Sequence, residues 1–190
     1  MEFNELDSLV RSRLSNKRYQ HTLAVVRLAE ELANQYGVSI EDAKIAAILH
    51  DITKEQENVV QLQIIKQSAI ISNAVYENNS NLYHGLTAYL YARDILKIDN
   101  NDILNAIRYH TTARADMSIL EKIIYVADTT SYDRTYDGVE FLRKLSFEDI
   151  DACMVRIIEF VIKDLLKRKS LIAGETIDCY NFMMIKGNSI

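Results

Sequence analysis

The side chains that could do chemistry in this chain are four histidines and two aspartates. His21, His50, His84 and His110 are all the histidines present, and with Asp51 and Asp128 they form one ordered series: a lone His, a contiguous His-Asp, then His, His and Asp. Imidazole nitrogen and carboxylate oxygen suit borderline and hard divalent ions, and the lack of sulfur argues against a structural zinc knot. Taken singly, each residue is more often a cap or a surface group than a ligand; jointly they point to a mixed His/Asp cage. Neighbours on a helix diverge by about 100°, so His50 and Asp51 cannot point the same way but can flank a pair of ions. The allotment expected is His21, His50, Asp51 and Asp128 on one ion, and His84, His110 and the second oxygen of Asp51 on the other. Two ions about 3.5 to 4 Å apart acidify a shared water and clamp the attacking and leaving oxygens of a phosphoryl displacement. Phosphate-ester or phosphoanhydride hydrolysis is the chemistry this suits.

The elements that must position these residues read as helices. Proline is absent and glycine occurs five times, so the punctuation of β folds is missing. Apolar residues recur at helical spacing in Val25, Leu28, Ala29 and Leu32, and from Ile150 through Cys153, Met154, Ile157, Ile158 and Val161 to Leu165. The expected helices are Asn4 to Leu14, Gln20 to Tyr36, Ile40 to Asp51, Asn58 to Gln67, Tyr83 to Leu96, Asn101 to Tyr109, Ile119 to Asp128, Val139 to Leu145, Glu148 to Lys169 and Thr176 to Ile185. His21 then falls in a first turn, and the other five candidates fall at helix ends, where side chains from several helices can converge. Ser39 is the expected cap of the third helix and Gly37 the stop of the second. Residues 77–81 are expected as a loop. The organisation expected is all-α: one domain over residues 1–190, with a core at 18–130 and the helices of 139–185 packed onto it.

Composition narrows the partners. A net charge of −5 with no basic block disfavours a nucleic-acid polymer, whereas two divalent ions add about four positive charges at one point and can still draw a phosphate. Cys153 and Cys179 form no spaced framework, the N-terminus has no apolar leader, and no stretch approaches a membrane span. The expectation is a reduced cytoplasmic protein with no membrane partner. For phosphate contacts the candidates are Lys54, three residues past Asp51; Arg18, one turn before His21; Thr111 and Thr112, directly after His110, with helix capping as their competing role; and Arg114 and Arg134, whose forked guanidinium suits phosphate.

The segments that carry these residues, Arg18 to Val25, Ala46 to Lys54, Leu82 to Gly85, Ala106 to Arg114 and Leu120 to Asp128, resemble the HD-domain metal-dependent phosphohydrolases, and within them the bacterial symmetrical diadenosine tetraphosphate hydrolases. The resemblance runs from about Val10 to Met184. It implies an HD helical bundle with its metal site at converging helix ends. It also implies a dinuclear transition-metal centre, iron first, with manganese, cobalt, nickel and zinc as alternatives. The implied reaction is cleavage of diadenosine tetraphosphate to two ADP by a metal-bound hydroxide, with Asp51 and Lys54 as catalytic groups and a nucleoside polyphosphate as partner; an exposed part of the Ile150 to Leu165 stripe could support a homodimer. The chain departs from the family after Asp128, where it reads Thr129-Thr130-Ser131-Tyr132-Asp133-Arg134, at Ala113 where relatives have Gly, and at Ala173-Gly174-Glu175-Thr176-Ile177. The competing readings are hydrolysis of nucleoside di- or triphosphates and a non-catalytic nucleotide-binding signalling module, the latter disfavoured by six intact ligands. The Gly-Tyr-Pro segment of cyclic-dinucleotide phosphodiesterases is absent.

Overall fold

The helical periodicity of the sequence is realised in the computed structural model, which describes residues 2–68 and 74–187. In chain order the helices are α1 (Phe3–Arg13), α2 (Asn16–Tyr36), α3 (Ile40–Leu49), α4 (Asn58–Ser68), α5 (Ala74–Glu77), α6 (Tyr83–Leu90), α7 (Asn101–Tyr109), α8 (Ile119–Thr130), α9 (Val139–Glu148), α10 (Ile150–Lys167) and α11 (Gly174–Gly187). A 3₁₀ turn at Ser80–Leu82 precedes α6 and a π-helical turn at Tyr91–Ile95 continues it. Among the described residues there is no strand, and no helix is long and apolar enough to cross a membrane.

The core is built around α2 and α3, the most extensive helix pair. Val25, Leu28, Ala29, Leu32 and Ala33 of α2 are fully buried, and α3 answers with Ala43, Ala46 and Ala47, small side chains that let the two backbones approach. Gly37 ends α2 in the left-handed conformation, at φ 67°, with the N–H groups of Gly37 and Val38 both returning to the carbonyl of Ala33. Ser39 then caps α3, its hydroxyl accepting from the N–H of Asp42 at 3.1 Å. So short a connection fixes where α3 starts against α2, and the ten residues of α3 then carry the chain to His50 and Asp51. Helix α8 packs on α2 and α7, and α10 packs on α8 and α9.

Several boundaries differ from the sequence expectation, that of the third helix among them: it ends at Leu49 rather than Asp51, so His50 and Asp51 lie just beyond it. Helix α2 begins four residues earlier, because Ser15 caps it by accepting from Arg18 N–H while Glu55 holds the Ser15 amide and hydroxyl at 2.6 and 2.7 Å; His21 therefore sits in the second turn rather than the first. Helix α8 runs two residues past Asp128. The break between α9 and α10 falls at Asp149, whose extended backbone and carboxylate, accepting from Ala152 N–H at 2.9 Å, start α10. The expected loop at residues 77–81 is largely taken up by the end of α5 and the 3₁₀ turn.

Candidate metal centre

Five helices deliver the six ligand candidates to one point. His21 comes from α2, His50 and Asp51 follow α3, His84 opens α6, His110 caps the end of α7, and Asp128 lies in the last turn of α8. His21, His50, Asp51, His84 and His110 are buried. Their ligand atoms group as His21, His50 and Asp51; as Asp51, His84 and His110; and as His50, His110 and Asp128, each group within 4.8 Å. The first two follow the expected division into two ions, while the third joins His110 to Asp128 across it.

Hydrogen bonds settle which ring nitrogens face the centre. His50 Nδ1 lies 2.6 Å from the carbonyl of Ala47 and His110 Nδ1 lies 2.7 Å from that of Ile107. A carbonyl only accepts, so both Nδ1 atoms carry the proton and both Nε2 lone pairs point inward. His21 Nδ1 donates to Asp133 Oδ2 at 2.9 Å, and its Nε2 turns to the centre, 3.0 Å from Asp128 Oδ1. The inward atoms crowd: His84 Nε2 is 3.0 Å from His110 Nε2 and 3.3 Å from Asp51 Oδ1. The other oxygen of Asp51 lies 3.5 Å from His50 Nε2. His50 Nε2 is fully buried and has no hydrogen-bond partner. An orphaned imidazole lone pair is costly in a protein interior, and a cluster of acceptors around it is satisfied by a cation. The donor set thus fits a divalent metal.

The electrostatics agree. Burial pushes the Asp51 carboxyl up, but His50, His110 and His84 outweigh it and hold Asp51 well below the usual carboxylate range. Burial also opposes ionisation of Asp128, yet interactions led by the bond from His21 outweigh it and hold the carboxyl well below the usual carboxylate range. Burial first and His110 second hold His84 well below its ordinary value, which keeps the ring uncharged. Lys54 is pushed down by burial against the pull of Asp51; its Nζ lies 3.0 and 3.1 Å from the two ring nitrogens of His84.

A shell of uncharged and charged groups fixes the ligands. Thr53 Oγ1 donates to the carbonyl of His84 at 3.1 Å and meets Thr87 Oγ1 at 2.7 Å, pinning the start of α6. Asp133, besides holding His21, accepts from the Ser131 hydroxyl at 2.7 Å. The Arg143 guanidinium donates to the carbonyls of Thr130 and Ser131 at 2.8 and 3.0 Å, which anchors the end of α8.

The family model for the HD domain matches residues 18–133, a span that contains all six candidates. The chain belongs to the HD domain family. The chain is 35% identical to a Bacillus subtilis protein named symmetrical bis(5'-nucleosyl)-tetraphosphatase, over 97% of this chain and 98% of that one. It is 34% identical to a protein of that name from Halalkalibacterium halodurans, over 94% and 95% of the two chains, and 29% identical to one from Staphylococcus aureus, over 96% and 94%. The crystal structure of a predicted HD superfamily hydrolase involved in NAD metabolism from Clostridium acetobutylicum superposes with a TM-score of 0.94 at 32% identity, covering 98% of each chain.

A cleft of about 460 Å³ opens over the centre of this HD domain. Arg18, Lys54, Thr111 and Arg134, all phosphate candidates from the sequence, line it. Arg18 is held 3.1 Å from Asp51, and Arg134 2.8 Å from Asp128. Arg114 and Thr112 are engaged elsewhere. The Arg114 guanidinium is closed in a bidentate pair with the fully buried Glu121, both contacts at 2.7 Å, because Glu121 is needed as the capping-box residue of α8. Thr112 is buried with its hydroxyl donating to the carbonyl of Ala113. Neither lines the cleft.

The sequence reading missed Asp133, although that residue stands in the departing segment after Asp128. It also missed Asn79 and Asn81, and an apolar wall made by Val161, Leu165 and Leu171. A signal for the wall existed: the α10 stripe is buried at Ile150, Cys153, Met154, Ile157 and Ile158, continues half-buried at Val161 on the edge of the core, and reaches the cleft at Val161 and Leu165.

Proposed function

We propose that this HD domain hydrolyses diadenosine tetraphosphate at its central anhydride to give two ADP, at a dinuclear His/Asp centre whose expected metal is iron. The observation that carries the proposal is the buried, unpartnered Nε2 of His50 beside Asp51, His84, His110 and Asp128, four acceptors that themselves line a cleft. Three relatives matched along nearly their whole length bear the name of that activity, which supports the substrate.

His21, His50, Asp51 and Asp128 would hold one ion, and His84, His110 and the second oxygen of Asp51 the other. Bound divalent ions supply Lewis-acid stabilisation of phosphoryl oxygens and a nucleophilic water near neutral pH. The remaining work belongs to the chain. Asp51 is the hub, one oxygen turned to His50 and the other to His84 and His110. Arg18, Lys54 and Arg134 neutralise the phosphates, the arginines by forked donation and Lys54 as a point charge. Arg18 and Arg134 are only partly exposed and already face the centre, so a phosphate entering the cleft meets them at its inner end. Thr111 offers a hydroxyl beside them. Val161, Leu165 and Leu171, in the lining of the same cleft, give a nucleobase an apolar surface. ADP leaves as a stable anion, so no spare histidine is needed as an acid.

Anaerobic purification with metal analysis, followed by product identification from diadenosine tetraphosphate with added iron or manganese, tests the reading. ADP as sole product, lost in Asp51→Asn, is expected. AMP with ATP would reject central cleavage, and turnover of nucleoside triphosphates alone would reject the substrate.

A further inference from the structure

A substrate made of two equal nucleotide halves carries its scissile bond in the middle, so a centre that cuts there needs room on both sides. The cleft with the apolar α10 wall accounts for one side. Behind Arg18 and Arg134, which line both spaces, lies a second cavity of about 430 Å³. His21 borders it toward the metal centre, and Ser15, Lys17, Glu55 and Asp133 complete its walls. Both cavities fall in the size range of small-ligand sites. They differ in character: every side chain lining the second is polar.

The first turn of α2 supplies an independent observation. A helix N-terminus carries the positive end of the helix dipole and favours acidic residues. Helix α2 has no acid in its first turn and places Lys17 and Arg18 there instead. This local choice works against helix stability; Glu55 already occupies the Ser15 amide and hydroxyl, so what Lys17 adds to the cavity is a cationic side chain in a lining that also holds the two acids Glu55 and Asp133. Lys17 is exposed, and its side chain lines the second cavity.

We infer that the second cavity is the other arm of the substrate site, in which Lys17, together with Arg18 and Arg134, holds the outer phosphate and ribose of the second nucleotide half. The two halves of a symmetrical substrate are then gripped unequally: one by its base against α10, the other by its charge and sugar at the start of α2. The inference rests on the proposed dinucleoside substrate.

Steady-state kinetics of the metal-loaded full chain on diadenosine tetraphosphate test it, with Lys17→Glu and Lys17→Arg beside the wild type. Lys17→Glu is expected to raise KM roughly three- to tenfold, the effect of reversing one partly screened charge, while kcat holds. Inhibition by ADP, whose base seats on the α10 wall, should be unchanged. Lys17→Arg should restore the wild-type KM, and the KM of the wild type should rise with ionic strength more steeply than that of Lys17→Glu. An unchanged KM in Lys17→Glu, with the wild type still producing ADP, overturns the second arm alone. A parallel loss of ADP affinity also overturns it, since Lys17 would then act through the general field of the site. If the wild type makes no ADP, the substrate reading fails, and the arm with it.

Discussion

A Cβ placed on Gly85 would stand 2.9 Å from the carbonyl oxygen of Arg108, 3.3 Å from Thr111 Oγ1 and 3.6 Å from His110 Cε1. Glycine there lets the start of α6 approach the end of α7 closely enough for His84 and His110 to meet. Gly85→Ala must push a backbone carbonyl, not a flexible side-chain tip. We expect it to cost about 1–3 kcal/mol of stability by overpacking, and to lower metal stoichiometry and kcat by on the order of tenfold or more through displacement of His110. Metal analysis with thermal unfolding would check both; a variant with full metal content and activity would refute the role. Ala113 poses the opposite problem. It is fully buried yet holds φ 56°, a conformation that disfavours any residue with a Cβ. Ala113→Gly loses a buried methyl worth about 0.8 kcal/mol but relieves about 1–2 kcal/mol of strain. It should therefore be neutral or stabilising by chemical denaturation, whereas Ala46→Gly, in the middle of α3, should cost about 2 kcal/mol from the lost methyl and the helical penalty together.

Helix α10 shows what one element can do with one stripe. Ile157 is fully buried in the core, while Leu165, two turns on, is half-buried against the cleft. Ile157→Ala should cost about 2–5 kcal/mol in stability with little change in KM for the folded fraction. Leu165→Ala should leave the unfolding midpoint nearly unchanged and raise KM for diadenosine tetraphosphate several-fold, on the order of 1 kcal/mol of lost apolar contact. Equal effects of the two variants on stability would refute the split. The stripe was legible as a periodicity, but periodicity records only that a face is apolar, not whether helix or nucleotide covers it. The six ligand candidates were legible because their types and order are rare together. Their supports were not: Asp133 reaches His21 across 112 residues of sequence, and Thr53 reaches the carbonyl of His84 across 31, so only the closed fold pairs them. The pairing of Arg114 with Glu121 was likewise hidden, because Glu121 does local work in capping α8 that its sequence position alone does not tie to Arg114.

At the scale of the whole molecule, two kinds of staple hold helices from distant parts of the chain. Asp151 of α10 meets Lys122 of α8 at 2.5 Å and Lys186 of α11 at 3.2 Å. Burial raises its pKa, but Lys122 and then Lys186 outweigh that and leave it below the ordinary carboxylate value. A depressed folded pKa contributes stability above the unfolded value, about 3.9, and that contribution is lost as pH falls through the folded value. The midpoint difference between wild type and Asp151→Asn should therefore be present at pH 6 and shrink below about pH 4. The second staple is the centre itself, whose candidates come from α2, α3, α6, α7 and α8. A metal bound there binds the folded chain and not the dispersed ligands of the unfolded one, so its affinity adds to folding free energy. At a free metal concentration a thousandfold above Kd the gain is about 4 kcal/mol. Chelation should lower the thermal midpoint of the wild type by several degrees and leave that of Asp51→Asn nearly unmoved, because the hub carboxylate that faces both histidine groups has lost its charge. Readdition of metal should restore the wild type alone. Equal sensitivity of both proteins to chelator would place the stabilising ion elsewhere and detach these five helices from any metal clamp.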